Sequence, residues 1–536
     1  MKRRRYFRLS LGLLGGACVL FCLWRVLQPF THRAAADRIT IRFGHWQLEP
    51  GIRQAFDALI ADYEALHPGI TVEQVPVPGK IYRQWGRTQL AGGTAPDLVQ
   101  LGLGVVGGSF YDYFQPITAE VNQPNPYNAG TPLQGIPWRN TFNDGMETGY
   151  DPETFECYGA SLFTGTTRIY CNTNLLRKIT GRDQPPATFS EFQTLARQVQ
   201  AYAQRTGEDI EPIAGSSLTG ILMLDDLFCA QLQVISSRLN PAMDLPLGIE
   251  DFYLEYLLGH WTLADPALQA GAELMHEAGA LLSPGFTQIE HDQAHIRFVQ
   301  GRAVMLMGFS VQATGIFDQV SFPVRIIRNP QPLPTHPRFG PQMRGHSAEN
   351  GLRAYGGFGL SRSSPHPAEA LDFLRFITSA AACEKFCRIS RCLPSVVGVE
   401  PPASMRDFMP DLQGYPPGPS FYVSPDTRAV ILNSQYLLVG PEGSPAAWLA
   451  HLRTTLGPAL RSDLERTITT RLGSVRRIET SIAAAQHLLA PEPANQRLAQ
   501  KFQSQLEAQN EMEATAHYTR LRLRQAAAMP ISAGRE

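Results

Sequence analysis

A glycine-rich stretch after a short apolar run is the first place where residue types and spacing could do chemistry. Gly102, Gly104 and Gly107 match the pattern GxGxxG, in which glycines let a pyrophosphate group approach the start of a helix. However, the apolar run 97–101 is the third predicted strand rather than the first of a βαβ unit, and the next segment soon reaches Pro116. The stretch therefore predicts a ligand-binding loop at the carboxyl end of a strand, with no nucleotide and no other cofactor.

A histidine pair and a serine-containing stretch could serve a metal ion or a nucleophile. His291 and His295 are four residues apart, but Asp292 follows the first histidine, so the zinc pattern HExxH is absent. The pair predicts a solvated helical face rather than a metal site. The stretch 215–219 lacks the glycine that a nucleophile elbow needs after its serine. Neither segment supports an enzyme.

Six of the eight cysteines lie beyond the first 36 residues, and three of these are close together in sequence. The six are Cys157, Cys171, Cys229, Cys383, Cys387 and Cys392. No CxxC occurs and no histidine is near the last three, so a metal site is disfavoured. Buried thiols and one or two disulfides remain as alternatives.

Four aromatic residues lie near predicted strand ends or turns, among glycine, serine and threonine. They are Trp46, Phe163, Phe309 and Tyr355. Aromatic faces stack on the C–H surface of sugar rings, while small polar neighbours supply hydrogen bonds. Each residue alone could be an ordinary core aromatic. Together they favour a small-molecule binding site.

The elements that must position these residues alternate between strands and helices. Residues 38–46 alternate in polarity and predict a strand, and 51–66 have helical apolar spacing. A strand from residue 70, a helix over 81–91 and a strand over 97–101 follow. This alternation predicts a parallel α/β sheet with right-handed crossovers. Residues 121–160 predict a long surface excursion.

Length and charge limit the class of protein. The chain has 536 residues, which suggests three or four packing units. It has 43% hydrophobic residues and a net charge of −1, which excludes a charged disordered protein and gives no sign of nucleic-acid binding. The segment 473–528 predicts a long polar helical hairpin, broken at residues 491–493.

The first residues have the pattern of an export signal. A basic cluster, Lys2–Arg5, precedes the uncharged stretch 9–24. Three outcomes stay open: cleavage after Ala34–Ala36, lipidation at Cys18, or retention of residues 9–24 as a membrane anchor. All three place residues 37–536 outside the cytoplasm, in the periplasm, attached to the inner membrane if the leader is lipidated or retained.

Several segments, in the expected order, resemble family 1 extracellular solute-binding proteins of ABC transporters, the maltose-binding-protein type. These segments are Tyr82 with Gly92–Leu98, Arg168–Leu176, Pro185–Phe192, Phe298–Met305, and Gly356–Leu360 with Ala368–Ser379. The resemblance covers roughly residues 38–460. It implies a two-lobed α/β fold of the periplasmic-binding-protein type (type II), with a hinge between the lobes and a C-terminal helical extension.

The resemblance also implies boundaries and site residues. Lobe 1 would hold 37–164 and 360–412, lobe 2 would hold 165–359 and 413–472, and 473–536 would be the extension. The cleft between the lobes would be lined by Trp46, Gln47, Glu49, Gly102, Gly104, Phe163, Thr164, Phe309, Ser310, Tyr355 and Gly356. Trp448 resembles a ligand-stacking aromatic found late in the family.

The function implied by the resemblance is that of a non-enzymatic receptor. It would capture a small solute, with a sugar or oligosaccharide favoured, and deliver it to the transmembrane subunits of an ABC permease. We expect no cofactor, no metal and no nucleic-acid partner. Two alternatives remain: a membrane-anchored sensor or scaffold on the same fold, and an exported hydrolase.

Overall fold

The computed structural model describes residues 38–102, 112–146, 149–151, 154–242, 247–349, 353–354 and 357–528. The leader, with its three possible outcomes, lies outside the described residues, as do the expected site residues Gly104, Tyr355 and Gly356. Among the residues described, we find no helix with the length and apolar character needed to cross a membrane.

Strands and helices are numbered here in chain order. The strands are β1 (Ile39–His45), β2 (Ile70–Pro76), β3 (Leu98–Gln100), β4 (Tyr150–Asp151), β5 (Glu156–Cys157), β6 (Gly159–Ser161), β7 (Phe163–Gly165), β8 (Thr167–Asn172), β9 (Glu211–Ala214), β10 (Ala303–Phe309), β11 (Val324–Ile327), β12 (Arg353–Ala354), β13 (Gly357–Leu360) and β14 (Leu393–Pro394).

The α-helices follow the same convention. They are α1 (Pro50–Leu66), α2 (Gly79–Ala91), α3 (Thr118–Val121), α4 (Thr173–Thr180), α5 (Phe189–Thr206), α6 (Thr219–Gln231), α7 (Gln233–Leu239), α8 (Ile249–Leu257), α9 (Pro266–Gly279), α10 (His291–Val299), α11 (Ala313–Gln319), α12 (Pro367–Ile377), α13 (Ala380–Ser390), α14 (Pro425–Ser434), α15 (Tyr436–Val439), α16 (Pro445–Leu489) and α17 (Gln496–Ala528).

Two separate sheets give the molecule two lobes. The sheet of lobe 1 has five strands in the order β2-β1-β3-β13-β6, and the sheet of lobe 2 has four in the order β11-β8-β10-β9. Strands β1, β2 and β3 are parallel, as the alternation of strands and helices predicted. Apolar side chains of α1, α12 and α13 cover the lobe 1 sheet in one cluster.

A three-stranded sheet joins the lobes. Its order is β12-β7-β14, and all its pairings are antiparallel. Strand β7 follows β6 of lobe 1 and precedes β8 of lobe 2, while β12 lies between β11 of lobe 2 and β13 of lobe 1. Because the chain crosses between lobes along these short strands, we call this sheet the hinge.

Local sequence signals explain where helix α5 begins and ends. Thr188 caps α5, because its hydroxyl accepts a hydrogen bond from the Glu191 amide at 3.3 Å. The Glu191 carboxylate accepts in return from the Thr188 amide, which completes a capping box. The left-handed Gly207 ends the helix.

Packing places some boundaries differently from the resemblance. Strand β13 begins at Gly357 in the lobe 1 sheet, before the expected start at residue 360. Met405 and Phe408 were expected in lobe 1 but pack with Tyr170 and Leu306 of lobe 2. The expected boundary between 472 and 473 falls inside the continuous helix α16.

The cysteines and the hairpin also have definite places. All six cysteines that the structure describes are buried free thiols, which is the first of the two alternatives that the sequence left open. The hairpin consists of α16 and α17, and its turn lies between Leu489 and Gln496. In the part of the chain that is described, no cluster of side chains has the composition to hold a metal ion.

Candidate functional site between the lobes

The strand directions bring particular chain ends to the hinge. In lobe 1, β13 is antiparallel to both β3 and β6, so β1, β3 and β6 all run the same way. Their carboxyl ends therefore share one edge, and β6 enters the hinge from it. In lobe 2, β10 and β11 are antiparallel to β8, and β9 is parallel to β10. The carboxyl ends of β9, β10 and β11 therefore lie at the edge where β8 leaves the hinge.

These facing edges are where an α/β fold binds ligands. On the lobe 1 side, the residues after β1 and β3 include Trp46, Gln47, Glu49 and Gly102. On the lobe 2 side, β10 ends at Phe309. The topology thus brings these five expected residues to the two sides of one cleft.

A network of amides fixes the lobe 1 side. The backbone N–H of Trp46 donates to Gln100 Oε1 at 3.1 Å. With its amide oriented so that both ends find partners, Gln47 accepts from Trp46 Nε1 at 3.2 Å and from Gln100 Nε2 at 2.9 Å, and it donates to Glu49 Oε2 at 3.3 Å. Gln47 and Gln100 are buried, so the network holds the indole and the carboxyl group in place.

Gly102 is required at its position by Trp46. Its φ of +114° lies outside the range that side chains tolerate, and an added Cβ would approach Trp46 Cη2 to 3.0 Å. The indole is half-buried and packs edge-on against Tyr82, with ring centroids 4.9 Å apart. The glycine loop therefore serves to seat an aromatic ring at the cleft.

Glu49 combines a cleft position with partial burial. Its backbone carbonyl accepts from the amides of Ile52 and Arg53 at the start of α1. Burial raises the pKa of its carboxyl group, although backbone hydrogen bonds oppose this effect. A carboxyl group in this position can accept hydrogen bonds and, when protonated, also donate one.

The lobe 2 side contains residues that the sequence placed elsewhere. His291 was expected on a solvated helical face, which is wrong: its ring lies 5.8 Å from that of Phe309, and its Nε2 is 3.0 Å from Gln312 Oε1. The same oxygen accepts from the Phe309 amide at 3.2 Å. His291 Nδ1 is buried without a protein partner. The spacing of His291 and His295 was the only sequence signal for this site.

The loop after β9 is a second feature that the sequence did not identify as a site. Ser217 and Leu218 follow this strand at the same edge as Phe309. Leu218 is exposed and Ser217 is half-buried. The buried Ser216 hydroxyl accepts from the Thr219 amide and fixes the loop. The sequence analysis predicted no strand before this loop, so its place at the cleft edge could not be read from the sequence.

Three expected residues form the hinge rather than an open surface. Phe163 is fully buried and stacks on Phe386, with ring centroids 5.4 Å apart. The Thr164 hydroxyl donates to the Pro394 carbonyl at 3.1 Å. Ser310 Oγ accepts from the Thr166 amide at 3.0 Å. Their side chains hold the crossing strands, so they line no accessible part of the cleft.

Trp448 and one cavity lie away from the cleft. Trp448 is 2% exposed in the lobe 2 core, and its Nε1 donates to Ser434 Oγ at 3.1 Å. A cavity of about 640 Å³ runs beside β11, between the segments 184–187 and 328–334. None of the expected site residues lines this cavity. Topology and the Trp46 network therefore locate the candidate site better than cavity size does.

Comparison with known families agrees with this architecture. The family model described as "Bacterial extracellular solute-binding protein" matches residues 58–408, more than half of the chain. The chain belongs to this family. This solute-binding protein is accordingly extracytoplasmic, and the resemblance noted in the sequence is confirmed. No curated protein matches it.

Solved structures share the fold of this solute-binding protein. A chitin oligosaccharide binding protein has a TM-score of 0.54 at 16% identity, covering 80% of this chain and 99% of its own. The solute-binding protein RafE in complex with raffinose has a TM-score of 0.51 at 16% identity, and the match covers 79% of this chain and 100% of RafE. Maltose-bound MalE3 of T. maritima has 0.54 at 16%, covering 79% and 99%. At this identity, the likeness establishes the two-lobed fold.

Proposed function

We propose that this solute-binding protein captures a sugar or oligosaccharide between its lobes and delivers it to an ABC permease. The observation that carries the proposal is the Trp46 network facing Phe309 across a three-stranded hinge. The structural neighbours described as binding chitin oligosaccharide, raffinose and maltose support the choice of solute. The role is capture and release, without catalysis or cofactor.

The chemistry of the cleft suits a neutral solute with many hydroxyl groups. The half-buried rings of Trp46 and Phe309 offer faces for C–H surfaces, and the half-buried Glu49 carboxyl group, held by Gln47, offers hydrogen bonds. Burial raises the pKa of the Glu49 carboxyl group, which accepts hydrogen bonds when ionised and can also donate one when protonated. Gly104, Tyr355 and Gly356 stay predicted contacts of the same cleft.

Lobe movement would couple capture to delivery. Short crossing strands concentrate rotation in a few backbone bonds, as in other hinged binding proteins. A solute that contacts both walls stabilises the closed arrangement over the open one by its differential affinity. The permease would then recognise the closed form. We propose that the leader directs the receptor across the membrane and, if it is lipidated or retained, keeps the receptor at the outer face of that membrane.

A thermal-shift screen tests this proposal. The chain from residue 37 is heated with raffinose, maltotriose and chitin oligosaccharides, and a ligand at about 100 times its Kd adds about 2.7 kcal/mol of stability. We expect at least one sugar to raise the Tm. If a peptide, polyamine or phosphate ester raises it while no sugar does, the carbohydrate assignment is wrong.

A tryptophan pair supplies the matched variants. Trp46→Ala removes the cleft ring and should abolish the sugar-dependent shift. Trp85→Ala is the control, because Trp85 packs on the same Tyr82 ring at 5.4 Å but belongs to α2 and not to the loop after β1. We expect Trp85→Ala to lower the basal Tm while keeping the shift. A full shift in Trp46→Ala would remove this residue from the site.

A further inference from the structure

The helical hairpin extends from lobe 2 to lobe 1. The first half of α16 completes the lobe 2 core through Leu456, Leu460 and Leu464. The last part of α17 joins the same core through Leu523 and Ala526. These helices are antiparallel partners, so their other halves project together beyond lobe 2.

Two ion pairs fasten the hairpin to lobe 2. Arg471 of α16 binds Glu250 with two hydrogen bonds, of 2.6 and 2.7 Å. Arg522 of α17 binds Glu255 at 2.6 Å. Both carboxylates belong to α8, and all four side chains are partly buried. Together with the shared core, they make the hairpin move as part of lobe 2.

The projecting half has a small apolar core of its own, and lobe 1 touches it there. That core consists of Val475 and Ile478 of α16 with Ala508 and Met512 of α17. Phe155, from the lobe 1 segment before β5, packs against this cluster. Phe155 has a φ of +55°, a conformation that non-glycine residues adopt only where surrounding contacts compensate.

Two hollows interrupt the contact between the hairpin and lobe 1 around that phenylalanine. Their volumes are about 140 and 50 Å³. Polar and charged groups line them, including Lys501 and Gln505 of α17 and Glu156 and Arg362 of lobe 1. Gln505 Oε1 is buried there without a partner. The hairpin is thus packed into the core of lobe 2, and it meets lobe 1 at the Phe155 ring and at the polar groups around the two hollows.

We propose that the hairpin is a strap across the hinge, fixed to lobe 2 and docked on lobe 1 through Phe155. Rotation about the hinge moves lobe 1 relative to lobe 2, so it also moves Phe155 against the cluster on the hairpin. The docked strap therefore restricts the arrangements that the lobes can adopt. The effect of the strap on solute capture rests on the proposed function, whereas the restriction of lobe movement does not.

A distance measurement without solute tests the strap. In the full chain, the exposed residues Lys80 of α2 (lobe 1) and Arg205 of α5 (lobe 2) are each replaced by a non-canonical amino acid with an azido group. A spin label is then attached to each azido group. This chemistry leaves the cysteines unmodified. Pulsed electron–electron double resonance then gives the distribution of distances between the two spin labels, and hence between the lobes. We expect one narrow distribution for the otherwise unchanged protein.

Phe155→Gly is the decisive variant, because glycine adopts φ near +55° without strain and removes only the docking ring. We expect its distance distribution to broaden and shift. Met512→Ala, on the hairpin side, should do the same, whereas Leu488→Ala, at an exposed site near the hairpin turn, should not. The strap is overturned if the distance distribution of Phe155→Gly superimposes on that of the protein without this substitution. It is also overturned if the distribution is already broad before the substitution. Neither result depends on whether any sugar binds.

Discussion

His45 shows how one buried side chain makes stability depend on pH. It ends β1 with no exposed surface and packs against the rings of Phe43 and Phe56. Its Nε2 lies 3.0 Å from Gln74 Oε1, and its Nδ1 has no protein partner. Burial lowers the pKa of this imidazole to about 4, since the charged form would lose its hydration.

The lowered pKa predicts an acid-sensitive lobe 1. Between pH 6.5 and 4, the unfolded chain binds a proton at His45 that the folded chain excludes, so stability falls as the pH drops. The full loss is about 3 kcal/mol. Urea unfolding at pH 7 and pH 4.5 measures it. His45→Asn should flatten this pH dependence, and the exposed His451→Asn should not; equal pH dependence in both variants would contradict the assignment.

The individual site residues could be predicted only where local sequence decides their environment. Trp46 follows an alternating strand, so its position at a strand end was readable. Phe163 occupies a similar position, but its burial depends on Phe386, which is far away in sequence. Likewise, nothing near His291 indicates that Phe309 and Gln312 will meet it.

At the scale of elements, Arg168 ties three segments together at the start of β8. Its side chain is 1% exposed. Its guanidinium binds both carboxylate oxygens of Glu349, at 2.6 and 2.9 Å, and donates to the carbonyls of Thr167, Asp407 and Met409. The chain before β12 and the chain after β14 are thereby joined to β8.

Replacing this arginine should weaken the hinge side of lobe 2. Arg168→Lys keeps the charge but cannot reproduce the planar set of five donors, so Glu349 and several carbonyls lose partners. Leaving buried acceptors without partners costs about 1 to 3 kcal/mol. The urea midpoint measures this cost. Arg325→Lys, on the exposed part of β11, is the control, and a similar small change in both variants would show that the network contributes little.

The sequence could predict these elements but not their connections. Residues 169–171 are apolar, as in a buried strand, but nothing near Arg168 in the sequence indicates that its guanidinium is buried as well. Apart from the adjacent Thr167, the partners named above lie 181 residues or more away from Arg168. Contacts over such separations also explain why Met405 and Phe408 pack with lobe 2 rather than lobe 1.

At the scale of the whole molecule, lobe 2 and the hairpin share one apolar core. Ala516, Leu523 and Ala526 of α17 belong to the same cluster as Leu464 and Ile468 of α16. The extension expected to start at residue 473 is therefore part of the folded lobe. Alternation predicted a parallel α/β sheet and the resemblance implied two lobes, but neither could show that a polar hairpin packs into one of them.

Removing α17 should consequently destabilise lobe 2. A chain ending at residue 490 loses the burial of Leu523 and its neighbours together with the Arg522–Glu255 pair. The expected cost is about 3 kcal/mol or more. Calorimetry measures the fall in Tm. A chain ending at residue 528 keeps α17 and is the control; if both truncated chains melt together, the hairpin makes no contribution to the core.

The place of β13 in the lobe 1 sheet determines when that lobe can fold during biosynthesis. This strand lies between β3 and β6, yet it is made almost 200 residues after β6. Until then, β3 and β6 have open edges that could pair with other chains. Lobe 2 needs α17 and is completed later still. An exporting cell must therefore keep nearly the whole polypeptide from aggregating before either half reaches its native state.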